Sequence, residues 1–383
     1  MQKTLYAPHG RGARVLAVGC CGFGGSAPCR RNRARSCHEF TKAALPIETH
    51  PRAAHHKLDG DPGRRRARQA GSACCQEDEP QVIATPLASE KHHSIDLAEV
   101  KLHWTEVGEG PPVLLLHGLN DSHRTWREIW PRLPGRRVLM LDLPGHGMSS
   151  RPDAPYTLDW NATQVARFIE RLDLPTLDVV GHSYGGGVAQ WLLLKCRARI
   201  RRLALLSSGG LGREVYPWLR IASVPFLIEA FGQRWMGPIA GFAMAQATTS
   251  DAQAEIDLLA SYLRQPGSAR AFSRTVRDVI GWRGQTRNIF DRIAEVDELP
   301  PMRLFWGARD TILPISHGTA IAASLENCEL IRFENCGHFV HWEEPEELAS
   351  ALRIFLDSSD ASPAHLKSRP VPGSVETAPG TAH

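Results

Sequence analysis

At 383 residues the chain is long enough for two average domains, and its composition, 42% hydrophobic and 22% charged, is that of a protein with a sizeable core. The formal net charge of +4 is unevenly placed: residues 1–75 carry 14 basic against 4 acidic side chains, a net +10, which leaves −6 for the remainder. A body of that sign excludes nucleic acid as a charge-driven partner, and no apolar run approaches the ~20 residues of a membrane helix, which excludes stable membrane insertion.

Residues 1–85 show no sustained apolar period, and residues 359–383 are poor in large apolar side chains. Neither segment can bury enough apolar surface to offset its ordering entropy, so both are expected to be disordered. The Arg-rich head also fits a transit peptide, and the short apolar stretch behind Arg11 and Arg14 fits a signal peptide. A plain extension or upstream sequence is the reading adopted, with a cytoplasmic body. Six of nine cysteines (Cys20, Cys21, Cys29, Cys37, Cys74 and Cys75) lie in the head. Cys196, Cys328 and Cys336 are too sparse for a disulfide framework, which points to a reducing compartment. The Cys20-Cys21 and Cys74-Cys75 pairs lack zinc-finger spacing, and no metal is expected there.

In the body, short apolar runs at 100–104, 113–116, 138–141, 177–180, 203–206, 303–306 and 330–333 read as strands covered on both faces. Amphipathic stretches at 157–172, 185–196, 317–324 and 345–356 read as helices, the last with Pro345 and acidic residues suited to its N-terminus. This alternation predicts an α/β fold with a doubly wound, mostly parallel sheet. From 209 to 299 no strand is evident, and the helical text carries Trp218, Phe226, Phe231, Trp235, Met236, Phe242, Met244 and Trp282. Such an insert between two late strands predicts a helical cap over the sheet's C-terminal edge, where ligands bind in open α/β sheets. The expected organisation is a core over 86–208 and 300–358, with the cap over 209–299.

The sharpest local signal is Gly181-His182-Ser183-Tyr184-Gly185, a G-x-S-x-G between a strand and a helix. There a serine sits on a strained turn, its hydroxyl projects above the sheet, and the following helix dipole favours developing negative charge. A serine needs a base, and His338 in Cys336-Gly337-His338-Phe339 follows the last strand-like run. His341 is its neighbour and competitor, His146 and His182 belong to glycine turns, and His123 reads as solvent-facing. The base needs an orienting carboxylate, and Asp310 in Gly307-Ala308-Arg309-Asp310 follows another strand end; a helix cap for Ile315 onward is the lesser alternative. An oxyanion would need two backbone N–H groups, and Tyr184 and Leu119 are positioned to supply them, Leu119 in the loop after Leu116-His117-Gly118.

As a set, His117-Gly118, Asp142-Leu143-Pro144-Gly145-His146-Gly147-Met148-Ser149, the Ser183 elbow, Gly307-Ala308-Arg309-Asp310 and Gly337-His338 resemble the capped α/β-hydrolase-1 family across about residues 93–357. The resemblance implies an α/β-hydrolase fold and a Ser183–Asp310–His338 triad in the family's chain order, with neither a metal nor an organic cofactor. Asp142–Ser149 is a family hallmark, read here as a structural turn. Family members with an aspartate nucleophile, the epoxide hydrolases and haloalkane dehalogenases, are excluded by Ser183. Carbon–carbon hydrolases of ring-cleavage products use serine, and Gly209-Gly210-Leu211-Gly212 resembles the start of their cap. They differ in a glycine-rich loop where this chain has Leu119-Asn120-Asp121, and in a Trp where it has Phe339.

The reading adopted is a carboxylesterase or lipase-like hydrolase of a small apolar ester. A carbon–carbon hydrolase is the second reading. A binding protein on the same scaffold is the third, and the three chemistry-bearing groups in order argue against it.

Overall fold

Seven apolar runs fold as strands of one sheet, and a polar eighth joins them at its edge. The computed structural model describes residues 89–223, 253–359 and 362–367, with single positions at 228 and 238. The strands are β1 (Lys91–Asp96), β2 (Lys101–Val107), β3 (Pro112–Leu116), β4 (Arg137–Asp142), β5 (Leu177–His182), β6 (Ile200–Leu206), β7 (Met302–Gly307) and β8 (Cys328–Phe333). Their spatial order is β1-β2-β4-β3-β5-β6-β7-β8. β2 is antiparallel to both β1 and β4, and every other neighbouring pair is parallel. The expected α/β class and mostly parallel sheet are what the chain forms.

β1 escaped the apolar pattern because Lys-His-His-Ser-Ile-Asp has one aliphatic side chain. Antiparallel backbone pairing with β2 holds it at the edge instead, in a register that sets Lys91 opposite Glu106 and Asp96 opposite Lys101.

Alternation along each inner strand feeds two apolar layers. Leu114 and Leu116 of β3, Leu139 and Leu141 of β4, and Leu203 and Leu205 of β6 face one side. Val113 and Leu115, Val138 and Met140, and Ala204 and Leu206 face the other. The first layer is covered by α1 (Leu158–Arg171) through Val165 and Phe168, and by α2 (Tyr184–Cys196) through Val188 and Leu192. Thr157 caps α1 by accepting from Trp160 N–H at 3.1 Å, which fixes where that helix begins.

Between β6 and β7 come α3 (Pro217–Ala222), α4 (Gln253–Leu263) and α5 (Ser268–Val279). A two-residue ladder, Ile280–Gly281 with Gly284–Gln285, corrects the expectation of no strand in that interval. Trp282, at the tip of that ladder, is 75% exposed, so it adds little to the core. Phe226, Phe231, Trp235, Met236, Phe242 and Met244 lie outside the described residues, as does the whole segment 1–85.

After β7 come α6 (Ser316–Ser324), α7 (Val340–Glu343) and α8 (Pro345–Asp357), and α8 covers the second layer through Leu348, Leu352 and Phe355. The tail departs from expectation over residues 362–367. His365–Leu366 pairs antiparallel with Leu325–Glu326, and Ala364 is buried in the core, so a small side chain with two ladder bonds orders a segment too polar to be read as strand. Among the described residues no helix is long and apolar enough to cross a membrane.

Candidate active site

Parallel strands bring their C-terminal ends to one edge, and the residues singled out in the sequence all follow such ends. Ser183 follows β5, Asp310 follows β7, His338 follows β8 and Leu119 follows β3. A cavity of about 720 Å³ lined by Met302, Arg303, Cys328 and Phe355 opens at the opposite ends of β7 and β8 and holds no histidine.

Ser183 has φ 52° and ψ −116°, a conformation that only glycine adopts without strain. Its surroundings over-determine it. Ser183 N–H donates to Leu206 O at 3.0 Å, and Ser183 O accepts from Gly186 and Gly209 N–H at 3.1 and 2.9 Å. The turn can be this tight because a Cβ on Gly181 would stand 2.6 Å from Gly185 O, and one on Gly185 would stand 2.4 Å from both Leu116 O and His117 O. The elbow is thus pressed against the end of β3. A Cβ on Gly118 would lie 3.3 Å from Ser183 Cβ, so the loop carrying Leu119 passes directly beside the serine. Tyr184 opens α2, and its N–H has no carbonyl one turn earlier in the helix to donate to.

Asp310 and His338 are in direct contact. His338 Nδ1 donates to Asp310 Oδ2 at 2.8 Å, and both side chains are sealed from solvent. Asp310 Oδ1 accepts from Ile312 and Leu313 N–H at 2.8 and 2.9 Å. The helix-cap alternative is not what forms: α6 starts at Ser316, with Ile315 before it. The two loops are stitched together by Ala308 N–H to Phe333 O and Arg309 N–H to Cys336 O, at 2.8 and 2.9 Å. Trp306 Nε1 donates to Leu313 O at 2.9 Å and closes the Asp310 loop. Ser183 and His338 share no direct hydrogen bond. They are joined through the preceding residue, whose Nε2 donates to His338 O at 3.0 Å with the rings of His182 and His338 4.8 Å apart. Contacts between nucleophile and base are often loose before substrate binds.

The other histidines of this edge are buried and take different parts. His117 Nδ1 donates to Gly118 O at 2.8 Å while its Nε2 accepts Leu143 N–H at 3.0 Å, and burial lowers its pKa to about 4. Burial likewise takes His146 down to about 3, where its Nδ1 donates to Pro144 O. His341 is fully enclosed, its Nε2 2.7 Å from Thr125 Oγ1, so it has no route to Asp310. His123 was expected to face solvent. It is buried instead, because its ring and its backbone N–H both donate to Asp142.

Asp142 was missed as more than a turn residue. Its carboxylate is 0% exposed and accepts from His103 Nδ1 at 2.8 Å, His123 Nδ1 at 3.0 Å, His123 N–H at 2.7 Å and Met148 N–H at 2.9 Å. Burial alone would raise its pKa, but these donors hold it well below the usual carboxylate range. Among the described residues, two groups bring two histidines and an aspartate within 4.8 Å: His103, His123 and Asp142, and Asp121, His182 and His341. In the first, both imidazole Nδ1 atoms lie at hydrogen-bonding distance from the carboxylate, so these atoms are paired with one another. Spacing in the sequence does not reveal either group, because each is assembled from three segments far apart in the chain.

Similar proteins show the fold in which this serine and this carboxylate–imidazole pair are set. The family model for the alpha/beta hydrolase fold matches residues 111–345. An uncharacterized protein of Mycobacterium tuberculosis is 31% identical over 264 residues, covering 66% of this chain and 77% of its own length. The 2-hydroxymuconate semialdehyde hydrolase of a Pseudomonas species is 26% identical, over 69% of this chain and 93% of that protein. A solved alpha/beta hydrolase fold protein from Burkholderia ambifaria superposes with a TM-score of 0.57 at 26% identity, over 68% of this chain and 99% of that one. With sheet order and sequence match in agreement, the chain belongs to the α/β-hydrolase fold family.

Proposed function

We propose that the chain is a serine hydrolase that cleaves a carboxylic ester, or a related acyl bond, through an acyl-enzyme. In this reading Ser183 Oγ attacks the carbonyl carbon while His338 Nε2 takes its proton. Asp310 holds the ring in the tautomer that needs and balances the imidazolium charge. The oxyanion lies between the N–H groups of Leu119 and Tyr184, which are fixed before the substrate arrives and need no reorganisation. Collapse of the tetrahedral species expels the alkoxide with the proton from His338. His338 then takes a proton from water as its oxygen attacks the acyl carbon, and it gives that proton to Ser183 Oγ as the second tetrahedral species collapses and releases the acid. All of this is done by groups of the chain itself, on a small apolar ester reaching the C-terminal sheet edge.

The observation that carries the reading is the 2.8 Å Asp310–His338 bond next to a serine at φ 52°. Strain of that kind, on the order of 1–3 kcal/mol, persists where surrounding structure enforces it, and it aims the hydroxyl outward. Labelling with a fluorophosphonate tests it. Wild type is expected to be labelled and to turn over p-nitrophenyl esters, and Ser183→Ala to lose both, with turnover lower by several orders of magnitude. Labelling that persists in Ser183→Ala would remove the assignment.

A second reading is favoured by the 2-hydroxymuconate semialdehyde hydrolase, which the chain matches over nearly that protein's whole length. The same three residues would then serve hydrolysis of a carbon–carbon bond in a ring-cleavage product. Comparing kcat/KM for a vinylogous 2-hydroxy-6-oxodienoate with that for a series of ester chain lengths separates the two.

A further inference from the structure

The segment that leads from β6 into α3 touches the loop that carries Asp310, and a single peptide group joins the two. The unit between Ile312 and Leu313 donates its N–H to Asp310 Oδ1 at 2.9 Å, and its carbonyl oxygen accepts from Tyr216 N–H at 3.0 Å. Asp310 Oδ2 in turn accepts from His338 Nδ1 at 2.8 Å. Tyr216 N–H, that peptide, the Asp310 carboxylate and the His338 ring therefore form one chain of hydrogen bonds. Polarisation along such a chain strengthens each link. A peptide group is planar, so turning its C=O turns its N–H with it. A shift of Tyr216 thus moves a donor of Asp310.

Side chains on both sides fix where Tyr216 meets that peptide. Two residues before it, Glu214 Oε2 lies 2.7 Å from His317 Nε2, and a carboxylate only accepts, so the ring donates. His317 stands in the first turn of α6, directly after the Asp310 loop, and its side chain is 4% exposed. Its backbone N–H donates to Pro314 O at 3.0 Å, which ties the ring to the same loop. The ring lies against the backbone of Gly212. A Cβ there would come within 2.2–2.4 Å of Cδ2, Cγ and Nε2, so only glycine lets the segment pass this close. Val215 is buried in one core with Leu313 and Trp306. From the other side Gln285 holds the segment by three bonds. Its N–H donates to Arg213 O at 2.8 Å, its Nε2 donates to Glu214 O at 3.2 Å, and its Oε1 accepts Gly210 N–H at 2.8 Å.

We infer that Glu214 and His317 are a positioning pair: they clamp the segment before α3 to the Asp310 loop, and through Tyr216 N–H and the Ile312–Leu313 peptide they set the orientation in which Asp310 holds His338. Breaking the pair frees the 212–216 segment to move, loosens Leu313 N–H from Asp310, and lets the imidazole tilt. The clamp acts on the acid and not on bound substrate, so its loss falls on kcat and leaves KM nearly unchanged. Glu214 is the residue on which to test this, because its side chain is 67% exposed and its removal leaves the core intact. The consequence for turnover rests on the hydrolase reading, while the clamp itself does not.

The test uses the full chain as wild type, Glu214→Gln and Glu214→Ala, each also combined with Asp310→Asn. Glutamine keeps an oxygen that accepts from His317, and alanine removes it. On p-nitrophenyl butyrate, Glu214→Ala is expected to lower kcat about fivefold with KM within about twofold of wild type, and Glu214→Gln to restore most of that loss. In the Asp310→Asn background the alanine substitution is expected to lower kcat no further, because two changes that act on one link do not add. The proton between His338 and Asp310 gives a second reading, as the far-downfield NMR signal that His338→Gln removes. That signal is expected to move upfield in Glu214→Ala and to stay in place in Glu214→Gln. Wild-type kcat with an unmoved signal in Glu214→Ala would overturn the inference. So would equal fold losses in the two backgrounds, since the pair would then act on something other than Asp310. A loss confined to KM would also overturn it, by setting the segment against substrate instead. If wild type turns over no ester, the hydrolase reading fails and the NMR signal alone decides the clamp.

Discussion

Asp142 and Asp310 stand at the same edge of the sheet, at the end of β4 and just past β7, and both carboxylates are sealed from water. They are closed differently. Asp142 accepts four N–H groups, two from imidazoles and two from backbone, and the rings of His103 and His123 lie 5.0 Å apart around it. Asp310 spends one oxygen on the backbone of Ile312 and Leu313 and keeps the other for His338 alone. A carboxylate ringed by donors braces the turn that contains it. One that grips a single ring by one nitrogen orients that ring and leaves the second nitrogen for chemistry. The difference between brace and orienter lies in how many donors converge, since burial is the same.

The first way to break this comparison is Asp310→Asn. An amide can hold the wrong imidazole tautomer and cannot balance an imidazolium, so kcat on an ester is expected to fall on the order of 10⁴-fold. Its melting midpoint should move little, because the amide oxygen can still accept from Ile312 and Leu313. Near-wild-type turnover by a folded Asp310→Asn protein would send the orienting role to another carboxylate.

Asp142→Asn should show the reverse pattern. Its NH₂ must face at least one of the four donors, which leaves buried groups unpaired at a cost of about 3 kcal/mol, or on the order of 10 °C in melting midpoint. Turnover per folded molecule should change far less than for Asp310→Asn. The pH dependence has a definite sign. The folded pKa of Asp142 is depressed, so its contribution is complete above about pH 4 and is lost as pH falls further toward the folded value. The stability gap between wild type and Asp142→Asn should therefore narrow in acid. A gap that stays constant to pH 3 would mean that Asp142 is no brace.

How far these roles can be read from sequence follows from how local each one is. The Ser183 elbow, the seven apolar strands and the His338 loop are written in contiguous residues: a strand, a glycine turn, a helix. Asp310 is nearly as legible, since it follows an apolar strand by three positions. The Asp142 brace is not legible, because His103 of β2, His123 of the turn after β3 and Asp142 of β4 become neighbours only after β2 and β3 pair with β4. For the same reason His123, in the polar text Asp-Ser-His-Arg, read as a surface residue. β1 and the 362–367 segment were illegible for a different reason: edge pairing through the backbone needs no apolar period.

The smallest expected effect sharpens the comparison on the orienter's side. The brace pairs both oxygens of the Asp142 carboxylate, whereas the elbow stores strain, with Ser183 at φ 52° and ψ −116°. Relieving that strain with glycine regains on the order of 1–3 kcal/mol. Glycine also loosens the unfolded chain, which gives back roughly 0.4–1 kcal/mol. Ser183→Gly is thus expected to be inactive yet more stable by about 1 kcal/mol, a rise of roughly 2–4 °C at the midpoint. Ser183→Ala keeps the Cβ and so the strain, and it should melt close to wild type. The two variants lose the same hydroxyl, so any difference between them reports the backbone alone. Equal midpoints for Ser183→Gly and Ser183→Ala would mean that the hydrogen bonds to Leu206, Gly186 and Gly209 hold the turn without strain at this residue.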